Sequence, residues 1–192
     1  LCNWLILVIN LLTGHLDREG GAMFTTPAVD LIRRKKHKQT YGRWYSRVRG
    51  LPESEGELPV AAMAEEMLTL GEGQVRAMIT HAGNPVLSSP NGKQLEEALD
   101  GLDFMVCIDV FLNETTRHAD LILPPAAFLE VDHYDFVFNH LAVSNNAKYS
   151  KALFKPESGQ WYDWQIAKAL IGKLAPISGY KLSRFSRWST PA

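Results

Sequence analysis

Short, continuous apolar runs separated by polar turns dominate the middle of the chain. Three of them, Val75–Thr80, Phe104–Ile108 and Leu121–Leu123, each end in a segment of small or polar residues. Continuous rather than alternating runs are typical of strands that are buried on both faces of a parallel sheet. The first two runs are separated by 23 residues with a helical pattern, as a parallel crossover requires. The pattern therefore predicts a βαβ unit.

The crossover helix has its own start signals. Ser89 is predicted to cap the helix, and Pro90 suits its first turn. Its apolar face consists of residues spaced three or four apart, namely Leu95, Ala98, Leu99 and Leu102. In a right-handed crossover the loops after the strands lie at the same carboxyl edge, where open α/β sheets bind ligands. Two polar loops are therefore predicted to converge at that edge.

Further elements flank this unit. Helices are predicted from Pro59 to Leu70 and from Trp164 to Leu174, the second capped by Asp163. Leu1–Leu12 predicts an apolar core helix, since 12 residues are too few to span a membrane. Residues 136–154 alternate weakly and predict an edge strand or a hairpin. Together the elements predict an α/β fold: a three-layer αβα, Rossmann-like domain with a parallel sheet.

Residues 25–58 show no sustained period and predict an irregular basic insertion. The segment contains the basic run Arg33–Lys38 and the aromatic stretch Arg43–Arg49. Basic residues beside aromatics can bind nucleic acid or an anionic partner. The net charge of the chain is −1, however, and no nucleic-acid-binding motif accompanies the run. A solvated loop whose aromatics pack against the domain is the favoured interpretation, and nucleic acid is not a predicted partner.

Candidate binding residues lie in the two polar loops. Gly83, Asn84 and Pro85 follow the first strand, where Gly83 permits close backbone approach and Asn84 offers a donor and an acceptor. Asp109 follows the second strand, and Asn113 is predicted to cap a short helix. A buried carboxylate needs donors, and the N1–H and amine of guanine match it. Asp109 is thus a candidate guanine reader, and the alternative that both loops form only turns stays open.

The cysteines and histidines do not predict a metal site. Cys2 and Cys107 are the only cysteines, and Cys107 is predicted to be a small buried side chain in a strand. His81 lies at the predicted ligand edge, where it could donate to a phosphate, although a plain surface histidine is the favoured interpretation. We assign neither a metal ligand nor a catalytic residue.

Four segments carry a resemblance to a known family. They are LLTGHLDREGGAMF at 11–24, GNPVLSSPNG at 83–92, LDFMVCIDVFLNETTRHADLILPPAAFLE at 102–130, and DWQIAKALIGKL at 163–174. As a set they resemble the molybdopterin oxidoreductases, also called the dimethyl sulfoxide reductase family, which includes formate dehydrogenases and nitrate reductases. The combination D-x-F-x-x-E-T-x-x-x-A-D-x-x-L-P, from Asp109 to Pro124, is the specific part.

The resemblance implies an oxidoreductase that carries molybdenum or tungsten on molybdopterin guanine dinucleotide. The loop of Gly83, Asn84 and Pro85 then faces the cofactor, and Asp109 and Asn113 contact guanine, although many relatives have Thr at the position of Asn113. The implied cofactor-binding set also includes Thr115 and Asp163. The fold would be an incomplete version of the formate dehydrogenase and dimethyl sulfoxide reductase domain.

The resemblance also implies an organisation in which the chain is an internal fragment. Residues 1–24 form the helix and Gly-Gly turn, 25–58 the insertion, 59–175 the Rossmann-like cofactor-binding portion, and 176–192 a poorly ordered tail. An iron–sulfur cluster and the metal ligand are expected upstream. The expected partners are the remainder of the polypeptide and an electron-transfer subunit, with no transmembrane segment. A cytoplasmic location is favoured over a periplasmic one.

Two other interpretations stay open at this point. One is a non-catalytic electron-transfer relative that keeps the fold without the metal cofactor. The other is a generic nucleotide-binding α/β domain, which is disfavoured because no G-x-G-x-x-G string follows the first strand.

Overall fold

The structure is a computed structural model that describes residues 2–29, 40–135 and 137–178. The predicted basic run at 33–38 and most of the predicted tail, 179–192, lie outside the described residues. The chain divides into two compact units, Leu1–Lys38 with Asp132–Lys151 and Gln39–Val131 with Ala152–Ala192. The domain divisions proposed from the sequence stay predictions.

The described helices and strands follow one another in a mixed α/β order. The α-helices are α1 (Cys2–Leu12), α2 (Met63–Leu68), α3 (Pro85–Ser88), α4 (Gly92–Asp100) and α5 (Asp163–Ser178). The strands are β1 (Tyr41–Tyr45), β2 (Pro52–Ser54), β3 (Ala77–His81), β4 (Phe104–Ile108), β5 (Leu121–Ile122), β6 (His133–Tyr134) and β7 (Tyr149–Ser150). Short 3-10 helices occupy Val60–Ala62, Thr116–His118 and Phe138–Leu141.

The larger unit is built on a parallel sheet with the strand order β3-β4-β5. Ala77 lies opposite Phe104, and Val106 lies opposite Leu121. The parallel pairing confirms the predicted α/β class, and β3 begins two residues later than the sequence pattern indicated. The three strands therefore end at one carboxyl edge, where the predicted binding loops begin.

The middle strand β4 is buried on both faces. Met105 and Cys107 belong to a buried cluster that includes Leu95 and Leu99 of α4. Val106, on the opposite face of the strand, is also buried. Burial on two faces explains why the sequence of β4 is continuously apolar instead of alternating.

The start of the crossover helix differs from the prediction. Pro85–Ser88 forms its own short helix, α3, and the N–H of Ser89 donates to Pro85 O at 2.8 Å. Ser89 therefore ends α3 and does not cap α4, which makes the predicted cap wrong. The residue before α4 is Asn91, in the left-handed region at φ +56° and ψ +57°. Asparagine tolerates this conformation better than most residues.

The helix predicted between Pro59 and Leu70 is present in two pieces. The 3-10 turn Val60–Ala62 leads into α2, and Ala62 and Met67 are buried against the domain. Leu70 is 82% exposed, so it does not belong to the buried face that the pattern predicted. The last predicted helix is confirmed as α5, which starts at Asp163.

Residues 40–58 are not irregular, which corrects the prediction for that part of the insertion. β1 and β2 pair antiparallel, with Tyr41 opposite Ser54. Three exposed aromatics lie on β1, Tyr41, Trp44 and Tyr45, so the prediction that they pack against the domain is wrong. The guanidinium of Arg43 lies over the Trp44 ring, 4.5 Å from its centroid, which occupies one face of this aromatic.

The smaller unit contains α1, a Gly-Gly turn and the β6–β7 pair. α1 has no buried residue, so the prediction that it is a core helix is wrong. After the helix, a Cβ at Gly21 would lie 2.0 Å from His15 O, so this turn requires glycine. β6 pairs antiparallel with β7 through His133 and Ser150. The predicted hairpin therefore exists in a short form that begins before residue 136.

Candidate functional site

The loops that follow β3 and β4 meet at the carboxyl edge of the sheet. The N–H of Ala82, directly after β3, donates to Ile108 O at the end of β4 at 2.9 Å. Beyond this point the loop after β3 carries Asn84, and the loop after β4 begins with Asp109. The predicted convergence of two polar loops is thus present in the structure.

Asp109 closes a tight turn at the start of the second loop. Its Oδ1 accepts the backbone N–H of Phe111 at 3.0 Å, and its Oδ2 lies 3.5 Å from Asn113 Nδ2. The residue is only 9% exposed. A carboxylate oxygen has two lone pairs, so Oδ2, with one long contact, keeps capacity to accept hydrogen bonds.

Asn113 holds the turn that leads into the short 3-10 helix Thr116–His118, whose N-cap residue is Thr115 and not, as predicted, Asn113. Its Oδ1 accepts the N–H groups of Thr115 and Thr116 at 2.9 and 3.0 Å. In return, the Asn113 N–H donates to Thr116 Oγ1, which itself donates to Phe111 O. This turn holds the loop after β4 in one conformation.

Asn84 and Thr115 join the two loops directly. The Thr115 hydroxyl donates to Asn84 Oδ1 at 2.7 Å and accepts the N–H of Val86 at 3.1 Å. The other end of the Asn84 amide, Nδ2, donates to Glu114 Oε2 at 2.7 Å. Thr115 is fully buried, so its hydrogen bonds are shielded from water.

Glu114 is held ionised by this arrangement. The hydrogen bond from Asn84 is the main reason that the pKa of Glu114 lies below its ordinary value. Its own backbone N–H lowers the pKa further, burial opposes these two hydrogen bonds, and the nearby charge of Arg117 adds a smaller lowering of the pKa. Glu114 is therefore a carboxylate at neutral pH, and it can only accept hydrogen bonds.

Asp163 lies at the start of α5 and contacts His81, the last residue of β3. Its Oδ1 accepts the N–H of Trp164 at 2.7 Å, and its Oδ2 lies 3.4 Å from His81 Nε2. Both side chains are about half exposed. Asp163 is the first residue of α5 and not its cap, so the predicted cap is wrong. The residue before the helix is Tyr162, whose N–H donates to Gln165 Oε1 at 2.9 Å in the manner of a capping box.

Gly83 does not have the backbone role that the sequence indicated. Its φ is not in the left-handed region, and a Cβ there would meet His81 O at an ordinary 3.7 Å. The left-handed residue of this loop is its neighbour Ala82, at φ +49°. Pro85 is the first residue of α3, where its fixed φ suits a helix start.

We expect Ala82→Gly to raise the free energy of unfolding by roughly 0.5–1 kcal/mol, because glycine adopts a positive φ without the Cβ clash of alanine. Gly83→Ala is the matched control, since its Cβ has room, and it should change stability by less than about 0.5 kcal/mol. Urea titration of both variants measures the difference. A loss of stability in Ala82→Gly would contradict this account of the loop.

Sequence reasoning missed two residues of this cluster. Glu114 and Thr116 were not candidates, although both stand in the string Glu114–Thr116 beside the predicted Thr115. Thr116 is fully buried, which is unusual for a polar loop residue and follows from its two hydrogen bonds. The adjacent Glu-Thr-Thr run was the available signal.

A groove of about 590 Å³ opens beside the carboxyl end of β5. Its walls are mainly apolar, and Glu157 and Lys173 add one charge of each sign. The lining residues include Leu123, Pro124, Trp161, Ile166 and Leu170. An apolar groove with few charged groups is a common setting for small-molecule binding.

Comparison with known proteins agrees with this architecture. The family model described as Molybdopterin oxidoreductase matches residues 3–173. The chain belongs to the molybdopterin oxidoreductase family. The family implies a pterin cofactor with molybdenum or tungsten, and an acceptor-rich loop edge suits the donor groups of such a ligand.

Several curated relatives match parts of the chain. The assimilatory nitrate reductase catalytic subunit of Bacillus subtilis is 37% identical over 78 residues, 40% of this chain and 11% of that protein. The F420-dependent formate dehydrogenase subunit alpha of Methanocaldococcus jannaschii is 32% identical over 109 residues, 57% of this chain and 16% of that protein. The periplasmic nitrate reductase of Desulfovibrio desulfuricans is 33% identical over 118 residues, 60% of this chain and 15% of that protein. The chain thus spans well under a fifth of the length of these relatives.

Two further features are absent from the described residues. No helix among them is long and apolar enough to cross a membrane. Within the same part of the chain, no three His, Cys, Asp or Glu side chains form a group that could hold a metal ion.

Proposed function

We propose that this chain forms part of the pocket for the guanine end of molybdopterin guanine dinucleotide, within a molybdopterin-dependent oxidoreductase. Asp109 reads the guanine base, and Asn84 and Asn113 line the same edge. Gly83, Pro85, Thr115 and Asp163 complete the proposed cofactor-binding set. Family membership supports the cofactor class, and the geometry of Asp109 supports the choice of base.

The observation that carries the proposal is that the Asp109 carboxylate has hydrogen-bond acceptor capacity that its described partners do not use. One oxygen holds the turn through Phe111, while the other, among the residues that the structure describes, has only the 3.5 Å contact with Asn113. At 9% exposure, this carboxylate has little access to water. An acceptor in such a place favours a ligand with two adjacent N–H donors, and guanine N1–H with its amine is one.

The residues of this chain would bind and orient the cofactor. The bound metal and pterin supply electron or oxygen-atom transfer. For the complete protein, the proposal includes an iron–sulfur cluster and an electron-transfer subunit, which the family resemblance supports. The relatives described above are named as nitrate reductases and a formate dehydrogenase. The residues of this chain do not indicate which of these substrates the complete protein uses.

Mild acid hydrolysis of the complete protein, purified with its cofactor, tests the proposed base. We expect the hydrolysate to contain GMP, identified by chromatography against authentic nucleotides. Molybdenum or tungsten measured on the same sample gives the ratio of nucleotide to metal. A cytidine or adenine nucleotide in place of GMP would contradict the proposal that Asp109 binds guanine.

A non-catalytic relative is the second candidate, and one observation favours it. Asn84, Asn113 and Thr115 satisfy much of one another's hydrogen bonding without a ligand, so this network could persist after loss of a cofactor. The same hydrolysis decides between the two, because a non-catalytic relative releases neither GMP nor molybdenum or tungsten.

A further inference from the structure

The amide of Asn84 is held at both ends by the loop that follows β4. Thr115 Oγ1 donates to its Oδ1, and its Nδ2 donates to Glu114 Oε2, each at 2.7 Å. The partners lie 30 and 31 residues away in sequence. Asn84 therefore connects the loop after β3 to the loop after β4 by hydrogen bonds.

The hydrogen-bond network determines which way this amide faces. Thr115 Oγ1 accepts the N–H of Val86, so its single proton is free to go to Asn84 Oδ1. The Glu114 carboxylate can only accept, so it must face the amide nitrogen. A flipped amide would place an oxygen against the carboxylate and a nitrogen against the hydroxyl proton. The orientation is thus set by the chemistry of the two partners.

The hydrogen bonds of Asn84 are also linked to Asp109 through the adjacent turn. Thr115 donates its backbone N–H to Asn113 Oδ1, and Asn113 Nδ2 contacts Asp109 Oδ2. The position of Asn84 and that of the Asp109 carboxylate are therefore linked by a continuous hydrogen-bonded path. One hydrogen of Asn84 Nδ2 has no partner among the described residues, which leaves a donor of fixed direction at the site.

We propose that Glu114 is a positioning residue for the guanine nucleotide, acting through Asn84 without touching the ligand. Its carboxylate holds the Asn84 amide in one orientation and keeps the loop after β3 at a fixed distance from Asp109. This inference rests on the proposed function of the site. It adds a residue whose contribution is the alignment of two loops rather than a ligand contact.

The test is a double-mutant cycle on release of guanine nucleotide from the complete, cofactor-loaded protein. We expect Glu114→Ala and Asn84→Ala each to speed release by roughly tenfold, the effect of losing about one hydrogen bond. The double variant should release nucleotide no faster than Asn84→Ala alone, because Glu114 acts through that side chain. Glu114→Gln should stay within about threefold of the wild type, since its carbonyl oxygen can still accept from Asn84.

Controls separate positioning from a general loss of structure. Glu97→Ala removes a glutamate from the exposed side of α4 and should leave release unchanged. The melting temperature of each variant is measured beside the release rate, so that faster release at an unchanged melting temperature indicates positioning and faster release with a lowered melting temperature indicates a loosened fold. Additive effects in the double variant would overturn the inference, as would Glu114→Gln releasing as fast as Glu114→Ala.

Failure of this inference is distinct from failure of the proposed function. If Asp109→Ala loses nucleotide while Glu114→Ala releases it at the wild-type rate, the positioning role is refuted and the guanine site stands. If the wild-type protein holds no guanine nucleotide at all, the proposed function fails, and the positioning role fails with it.

Discussion

Asp109→Ala is expected to weaken retention of the guanine nucleotide by about ten- to a hundredfold in the complete protein. The change removes a charged acceptor and leaves the guanine donors without partners, which costs roughly 1–3 kcal/mol. It also removes the acceptor for the Phe111 N–H. A small drop in melting temperature should therefore accompany the loss of nucleotide, since a lost turn bond costs around 1 kcal/mol.

Asp109→Asn separates these two effects. The asparagine keeps a carbonyl oxygen for the Phe111 N–H, so the turn and the melting temperature should be preserved. The NH2 group of the asparagine would then face the N–H donors of guanine, and two donors cannot form a hydrogen bond. Retention of the guanine nucleotide should therefore fall as far as in Asp109→Ala. The paired measurement is guanine nucleotide per folded protein and melting temperature, for the wild type and both variants.

The opposite pattern would remove Asp109 from the site. If the residue only closes the turn, Asp109→Ala lowers the melting temperature with normal nucleotide content, and Asp109→Asn resembles the wild type in both measurements. The strongest residue-level support for guanine recognition would then be gone, although family membership would stand.

Glu53→Ala is expected to cause the largest loss of stability in the described part of the chain. Glu53 on β2 is fully buried and accepts hydrogen bonds from Thr40 Oγ1, from the backbone and guanidinium of Arg43, and from the N–H of Gly56. Alanine would leave these donors without the acceptor that they share. We expect the melting temperature to fall by roughly 10 °C, measured by calorimetry.

The stability that Glu53 contributes should depend on pH in a defined window. Burial by itself raises the pKa of Glu53, but the hydrogen bonds from Thr40, Arg43 and Gly56 outweigh it and lower the pKa from 4.5 to about 2. A group with a depressed folded pKa stabilises the fold above its unfolded value and loses that effect as pH falls. The contribution should be complete above about pH 4.5 and lost progressively toward pH 2.

Glu53→Gln provides the matched comparison, because it keeps the shape of the side chain without the titrating carboxylate. The difference in unfolding free energy between wild type and Glu53→Gln should shrink as pH falls from 4.5 to 2. A difference that stays constant across this range would show that the Glu53 carboxylate does not stabilise the hairpin through its charge.

Local patterns in the sequence determined the elements of the larger unit. The continuous apolar runs predicted the strands β3, β4 and β5, because a strand buried on two faces has no solvent-facing positions to alternate. The three- and four-residue spacing predicted α4 with Leu95, Ala98, Leu99 and Leu102 on its apolar face, and only Leu102 lies past the end of the helix at Asp100. The position of Asp109 after a strand predicted its place at the carboxyl edge of the sheet. These features depend on residues that are close in sequence.

Tertiary structure decided the features that depend on residues far apart in sequence. The exposure of α1 could not be predicted, since an apolar helix has the same sequence pattern whether or not something packs on it. Glu53 of β2 and its partner Arg43 of β1 are ten residues apart, and the hydrogen bond between the two loops at the carboxyl edge joins Asn84 and Glu114, 30 residues apart. The spacing of apolar residues within one helix or strand does not indicate such pairs. Only the folded chain brings each acceptor to its donor, because burial makes an unpaired polar group costly and so selects the arrangement that pairs them.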